Sequence, residues 1–262
     1  MPTSLFVASS RLSVAPKFSI VVLFALCMLS QNVFAQTKAK TDQSTATDQH
    51  KTKEKSDQTK GWMPLFDKAT LKGWKSTNYG GEGDVSVAQS ALTIEQGVDL
   101  SGVTTTRKDL PTDHYEVEFE ARRIDGNDFF VGFTFPVRKS ACSLICGGWG
   151  GGVCGLSSIE MTDASENETT TYSAFKNNKW YKLKLKVDGQ KIEAWIDGDS
   201  LVDVDLDGRK VDTRFEMELS KPMGFSSYQS TAEIRKARYR LLKPKAVKAE
   251  AADGKTHDDS GD

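Results

Sequence analysis

The chain has 262 residues, with 35 lysines and arginines against 36 aspartates and glutamates, and a formal net charge of −1 at pH 7. Charges of both signs are mixed along the sequence, and no basic patch is interleaved with aromatic residues, so nucleic-acid binding is not expected. A chain of this length has room for one large β domain or two small ones.

The N-terminal 35 residues have the pattern of a secretory signal peptide. Arg11 and Lys17 precede an apolar run from Ile20 to Leu29, and small residues at Val33 and Ala35 suit cleavage after Ala35. The run is shorter than the roughly 20 apolar residues that a transmembrane helix needs, although an uncleaved anchor is the alternative. The pattern predicts a secreted or periplasmic protein that does not remain in the membrane after cleavage.

Two segments consist almost entirely of polar and charged residues, at 36–60 and 244–262. Such segments cannot bury enough apolar surface to offset the entropy lost on ordering, so a disordered linker and a disordered tail are expected. One globular domain remains between them, at 61–243, and it is long enough to bury a sizeable core.

Within that domain, apolar and polar residues alternate in short runs. Residues 115–122, 181–187 and 192–196 follow this period of two, which predicts strands with one buried face. Asp188-Gly189 and Asp197-Gly198 are typical of hairpin turns. No stretch has the pattern of an amphipathic helix. The predicted fold is an all-β sandwich with jelly-roll or lectin-like topology.

The segment from Cys142 to Thr171 is the candidate site. Five glycines flank Trp149, and Glu160, Asp163 and Glu166 follow within twenty residues. An aromatic plane beside acids is what a sugar site needs, and function concentrates in such irregular segments. The alternative is a solvated loop. Oxygens here would also suit calcium, but no twelve-residue calcium loop is present, so no cofactor is predicted.

Three cysteines fall in or beside the same segment. Cys142, Cys146 and Cys154 lack the paired C-x-x-C spacing of a zinc site. Cys142 and Cys146 would lie roughly 13 Å apart on one strand, too far for a disulfide. Cys146 and Cys154 flank the glycine turn, so a disulfide across a hairpin is possible, with buried free thiols as the alternative.

Three glutamates share one face of a predicted strand. Glu116, Glu118 and Glu120 would be about 7 Å apart in sequence order, a separation that two-carboxylate glycoside hydrolysis permits. Alternating glutamates are also typical of an ordinary solvent-facing strand.

Several motifs, in order along the domain, resemble the 3-keto-disaccharide hydrolase family. They are Trp62-Met-Pro-Leu-Phe-Asp67 with Leu71-Lys-Gly-Trp74, the strand 115–121 with the turn 127–132, the hairpin 180–189 and the strand 192–198. The resemblance covers nearly all of 61–243. It implies a concanavalin-like β-sandwich, often secreted, that acts on oxidised glycosides, so the expected partner is a carbohydrate or keto-sugar. The turn departs from the family pattern, with Asn127-Asp128-Phe129 where Asn-Ser-Gly is frequent.

If the chain has this activity, it is a hydrolase in which a ketone at C3 acidifies the C2 hydrogen, a base removes it, the glycosidic oxygen leaves by elimination and water then adds back. This path needs a base, an acid for the leaving group and a donor to the developing enolate. The candidate proton carriers are His114, Glu118, Glu160, Asp163 and Glu166. Arg122 or Asn127 would polarise the ketone, and Trp149 or Trp195 would stack on the ring. Ordinary two-carboxylate hydrolysis uses the same residues. A non-catalytic carbohydrate-binding module and a structural cell-surface domain are the alternative functions, and no sequence feature fixes an oligomeric state.

Overall fold

The computed structural model of the chain describes residues 61–67 and 69–243. The predicted signal peptide (1–35), linker (36–60) and tail (244–262) lie outside the described residues, and their boundaries stay predictions. In the described part, no helix has both the length and the apolar character needed to cross a membrane.

The described residues form fifteen β-strands and one short 3-10 helix, Phe215–Ser220. The strands are β1 (Met63–Pro64), β2 (Trp74–Ser76), β3 (Val85–Ala88), β4 (Ala91–Ile94), β5 (Leu100–Thr105), β6 (Tyr115–Gly126), β7 (Val131–Val137), β8 (Ser140–Gly148), β9 (Val153–Ser157), β10 (Thr171–Tyr172), β11 (Tyr181–Asp188), β12 (Lys191–Ile196), β13 (Asp199–Asp205), β14 (Gly224–Tyr228) and β15 (Ser230–Leu241).

These strands make two antiparallel sheets that pack face to face. The eight-stranded sheet has the order β13-β12-β11-β6-β15-β4-β3, with β1 also paired to β15. The seven-stranded sheet has the order β10-β9-β8-β7-β14-β5-β2. The prediction of an all-β, concanavalin-like sandwich is therefore confirmed.

The core between the sheets is rich in aromatic rings. Phe225 of β14 is 1% exposed, and its ring centre lies 4.6 Å from that of Phe133 and 5.1 Å from that of Phe119. Phe66 and Trp74 pack on the other side of the same ring, at 5.5 and 5.8 Å. Since Phe119 belongs to the eight-stranded sheet and Phe225 and Phe133 to the other, these contacts join the two sheets.

The outer face of the eight-stranded sheet carries a ladder of ion pairs. Glu116, Glu118 and Glu120 of β6 lie opposite arginines of β15, and the side-chain pairs are Glu116–Arg240, Glu118–Arg238 and Glu120–Arg235. Opposite charges on directly facing residues stabilise a strand pair. Each of the three glutamates is therefore paired with an arginine. They do not form the two free carboxylates that glycoside hydrolysis would need.

The inner strands of the seven-stranded sheet, β5, β7, β8, β9 and β14, are almost entirely buried on both faces. Most of their outward side chains are small or polar, whereas Leu100 and Ile145 are large and apolar. The 3-10 helix with the residues around it covers part of that face, burying Met217 and Ser220. At Gly132 a Cβ atom would lie 2.8 Å from Phe129 Cε2, so glycine allows that ring to lie directly on the sheet. One part of this face remains open as a pocket.

Candidate functional site

The outer-face pocket, as we name it, lies on the outward side of the seven-stranded sheet and has a volume of about 500 Å³. Its lining residues are Asp99, Leu100, Asp128, Phe129, Ile145, Trp149, Ser157, Arg214, Glu216, Met217 and Tyr228. Leu100, Ile145, Ser157 and Met217 are buried and form the floor, whereas Trp149 is 44% exposed and stands at the rim. The pocket thus combines a mainly apolar floor with a polar and aromatic rim, as ligand sites usually do.

Aromatic side chains form the walls. Phe129 and Tyr228 stack with their ring centres 5.9 Å apart. Trp149 occupies the tip of the β8–β9 hairpin in a left-handed backbone conformation, with φ of 49°. The Gly150 amide donates a 2.9 Å hydrogen bond to Asp128 Oδ2, which ties this tip to the turn after β6. These rings can cover the apolar faces of a sugar.

A cation with two acidic partners lies at the rim. Arg214 Nη1 donates to Asp163 Oδ2, and Arg214 Nη2 donates to Glu216 Oε1 at 3.1 Å. The hydrogen bonds from Arg214 lower the pKa of Glu216, so this carboxyl is ionised at neutral pH. The arrangement offers a fixed guanidinium and a carboxylate base side by side.

Tyr228 supplies a proton donor. Removal from water, together with the neighbouring carboxyl of Asp99, raises the pKa of the Tyr228 hydroxyl. This hydroxyl therefore keeps its proton across the neutral range and can donate to an oxygen of a bound ligand.

Of the residues predicted from the Cys142–Thr171 segment, Trp149 alone lines the pocket. Asp163 reaches it through Arg214. Glu160 Oε1 instead accepts a 2.5 Å hydrogen bond from the Lys210 amide, away from the lining. Glu166 is exposed, and its side chain forms no ion pair within the part of the chain that the structure describes. The three acids therefore do not converge on one point.

The remaining candidates lie elsewhere. Glu118, Arg122 and Trp195 are on the outer face of the eight-stranded sheet, across the sandwich from the pocket. His114 stands beside the β11–β12 hairpin, with Nδ1 3.0 Å from Asp188 Oδ1. Asn127 is exposed in the turn after β6, next to the pocket residue Asp128 but not in the lining.

Most residues that line the outer-face pocket were not predicted from the sequence. Phe129 and Asp128 lay within the turn quoted for the family resemblance, which is a signal that could have indicated them. Three further lining residues are distant from Trp149 in the sequence, and no local motif marks them: Arg214, Glu216 and Tyr228. Only the fold brings them to the pocket.

A larger recess, of about 710 Å³, lies at the eight-stranded sheet between β1 and the β3–β4 hairpin. Its charged residues satisfy one another, since Glu118 binds Arg238 and Glu120 binds Arg235 and Lys236. Trp62 lies against the Arg238 guanidinium at 4.8 Å. In this recess Glu118, Glu120 and Trp62 are covered by arginine and lysine side chains, whereas Trp149 at the rim of the outer-face pocket is open to a ligand, so the smaller pocket is the better candidate.

The three described cysteines are buried free thiols. The disulfide considered between Cys146 and Cys154 is absent, although the two residues face each other directly across β8 and β9. Burial raises the pKa of Cys142 to about 12, which suppresses its reactivity. No group of three or more histidine, cysteine or acidic side chains within 61–67 and 69–243 is placed to hold a metal ion.

Comparison with known proteins gives three findings. No curated protein sequence matches the chain. Among solved structures, a protein of Parabacteroides distasonis described as a possible glycosyl hydrolase shares 14% identity over 73% of this chain and 97% of its own, with a TM-score of 0.46. A carbohydrate-binding module of Bacillus subtilis shares 15% identity over 68% of this chain and 99% of its own, with a TM-score of 0.44. Similarity at this level is not evidence of a shared substrate.

The third finding is a match to a family over most of the chain. The family model described as 3-keto-alpha-glucoside-1,2-lyase-like domain matches residues 61–240. The matched region runs from just before β1 to the penultimate residue of β15, so it includes both sheets and every residue that lines the outer-face pocket. The chain therefore belongs to the family of 3-keto-alpha-glucoside-1,2-lyase-like domains.

Proposed function

We propose that the chain binds a saccharide in the outer-face pocket and cleaves 3-keto-glycosides there by elimination. The observation that carries the proposal is the convergence of Trp149, the Phe129–Tyr228 pair and the Arg214–Glu216 pair on one cavity. Aromatic walls suit the faces of a sugar, and the charged pair suits proton abstraction next to a ketone. Membership of the family supports the same substrate class.

The elimination needs three groups. A carboxylate base, assigned to Glu216, removes the proton from C2 of the 3-keto sugar, and the guanidinium of Arg214 stabilises the negative charge that develops on the C3 oxygen. The electron pair then forms the C1–C2 double bond as the bond from C1 to the glycosidic oxygen breaks. The Tyr228 hydroxyl gives its proton to the departing oxygen, and the proton that Glu216 took from C2 returns to Tyr228 through water, which restores both groups.

The test is product release from p-nitrophenyl 3-keto-α-glucoside, compared with p-nitrophenyl α-glucoside. We expect release of p-nitrophenol from the keto substrate alone, because only the ketone acidifies C2. Glu216→Gln should lower kcat on this substrate by about a hundredfold or more, the usual contribution of a general base. Tyr228→Phe should cause a similar loss with methyl 3-keto-α-glucoside, because methoxide, unlike p-nitrophenolate, needs a proton in order to leave. Asp203→Asn is the control, since its carboxyl lies on β13 in the other sheet. Unchanged kcat in both pocket variants would refute this assignment.

A non-catalytic carbohydrate-binding module is the second candidate function, and one observation favours it. The pocket acids are engaged, with Glu216 on Arg214 and both oxygens of Asp128 on the amides of Phe129 and Gly150. This function predicts saccharide binding without turnover of either substrate. A structural cell-surface role predicts no saccharide binding at all. We also propose a secreted or periplasmic protein, on the basis of the predicted signal peptide, and N-terminal sequencing of exported protein would test cleavage after Ala35.

A further inference from the structure

Ser157 is a buried hydroxyl at the floor of the outer-face pocket. It is the last residue of β9, where Cys154 and Leu156 point into the core and Ser157 points to the opposite side, into the cavity lining. The residue is 1% exposed, and its Oγ has no hydrogen-bond partner among the described residues. Buried hydroxyls in native proteins are normally hydrogen-bonded, so this one calls for a partner.

The neighbouring hydroxyls on the same face differ from Ser157 in this respect. Ser143, its direct cross-strand partner on β8, lies 2.9 Å from the Thr134 hydroxyl. Thr134 Oγ1 is in turn 2.6 Å from Ser220 Oγ. These three oxygens form a connected chain beneath the 3-10 helix. Ser157 is adjacent to Ser143 in the sheet, but its hydroxyl takes no part in this series of hydrogen bonds.

Its position in the cavity also separates Ser157 from Ser227. Ser227 has a buried hydroxyl oxygen without a hydrogen-bond partner in the described part of the chain, but it does not line the outer-face pocket. Around Ser157 the floor is apolar, formed by Ile145 and Met217, which are 3% and 4% exposed. A hydroxyl placed alone on an apolar floor can make a selective contact with whatever enters.

We propose that Ser157 is a specificity-determining residue whose hydroxyl exchanges a hydrogen bond with one hydroxyl of the bound saccharide. The inference rests on the proposed saccharide binding and adds to it which group of the ligand is recognised at the floor. A hydroxyl both donates and accepts, so it pairs with a sugar hydroxyl in either direction. A deoxy sugar that lacks this hydroxyl leaves Ser157 unpaired in the complex and is rejected.

The test is a double-mutant cycle in which the side chain at position 157 and single hydroxyls of the ligand are removed separately and together. Dissociation constants are measured by calorimetry for methyl α-glucoside, which has no ketone and is not cleaved, and for its 2-deoxy, 4-deoxy and 6-deoxy analogues, with wild type, Ser157→Ala and Ser143→Ala. We expect wild type to bind one analogue about tenfold more weakly than the parent, the size of one hydrogen bond. Ser157→Ala should bind that analogue and the parent equally. Ser143→Ala, whose hydroxyl is paired within the sheet, should discriminate as wild type does.

The outcomes separate this inference from the proposed function. If wild type binds the parent and Ser157→Ala keeps the discrimination for every analogue, the inference is overturned and saccharide binding stands. If Ser157→Ala weakens all ligands by one common factor, Ser157 holds only water, and the inference is again overturned. Binding of neither methyl 3-keto-α-glucoside nor methyl α-glucoside by wild type overturns both. Ser157→Cys, which keeps the size with a weaker donor, should give intermediate discrimination and serves if the alanine variant does not fold.

Discussion

Asp163 and Arg214 are 51 residues apart in the chain and form an ion pair beside the outer-face pocket. Asp163 Oδ1 accepts hydrogen bonds from the amide and the hydroxyl of Ser165, which leaves Oδ2 for the guanidinium. The Asp163 side chain is only 17% exposed, so its charge is partly shielded from water. Asp163 therefore acts as a positioning residue, because it holds the Arg214 guanidinium at the rim of the pocket.

Asp163→Asn should therefore lower affinity for the saccharide. Loss of the carboxylate frees Arg214 to move, and hydrogen bonds between charged groups are worth about 1.5–3 kcal/mol, or roughly a tenfold effect or more. The measurement is the dissociation constant for methyl α-glucoside, which is not cleaved, with Asp199→Asn on β13 as the matched control. Equal weakening in both variants would contradict a specific role for Asp163.

Trp149 and Trp195 give a paired test of which sheet holds the site. Trp149 lines the outer-face pocket, whereas Trp195 lies on the other sheet with the Lys184 ammonium 5.1 Å from its ring centre. Trp149→Ala should weaken saccharide binding about tenfold or more, since covering one aromatic side chain contributes about 1.5–3 kcal/mol. Trp195→Ala should leave affinity within about twofold. If Trp195→Ala weakened binding and Trp149→Ala did not, the saccharide site would lie on the eight-stranded sheet instead.

Protonation of Glu120 should lower the stability of the fold in acid. Burial disfavours its charged form, but the hydrogen bonds from Lys236 and Arg235 outweigh burial and lower the pKa of Glu120. A lowered folded-state pKa stabilises the native state above the unfolded value of about 4.5. That contribution is lost as the pH falls through the folded pKa. Urea unfolding between pH 7 and 3 should show a smaller loss of stability for Glu120→Gln, and identical pH dependence would contradict this.

Phe225 is the expected weak point of the core. Phe225→Ala removes contacts with rings of both sheets and should lower the free energy of unfolding by about 3–5 kcal/mol. Phe215, 88% exposed in the 3-10 helix, is the matched control, and its alanine variant should differ from wild type by about 0.5 kcal/mol or less. Denaturant unfolding measures both, and similar losses would mean that Phe225 does not join the sheets.

The strands that sequence could predict are those with one solvated face. β6, β11 and β12 belong to the eight-stranded sheet, and their buried residues alternate with charged ones. The seven-stranded sheet gives a weaker signal, because β5, β7 and β8 are buried on both faces and their outward residues are small or uncharged. The fold class could therefore be predicted from the alternation in β6, β11 and β12. The sequence of β5, β7 and β8 does not reveal that the outer face of the seven-stranded sheet is covered.

The site was only partly predictable for a related reason. Local composition indicated Trp149, because glycines around one tryptophan mark an unusual turn. Strand parity showed that Glu118 and Arg122 face outward, but parity does not tell which outer face carries the pocket. Arg214 and Tyr228 reach the pocket through long-range pairing, as in the registry of β14 with β5 and β7. Such contacts leave no trace in a local window of sequence.

The pairing of β1 with β15 has a practical consequence for engineering. Met63 faces Tyr239 in antiparallel register, so the chain enters and leaves the sandwich at neighbouring positions on the eight-stranded sheet. Closely spaced ends favour circular permutation and insertion into a surface loop of a carrier protein. Because the outer-face pocket belongs to the opposite sheet, a fusion made at residues 61 and 243 would be attached next to strands that do not carry the cavity.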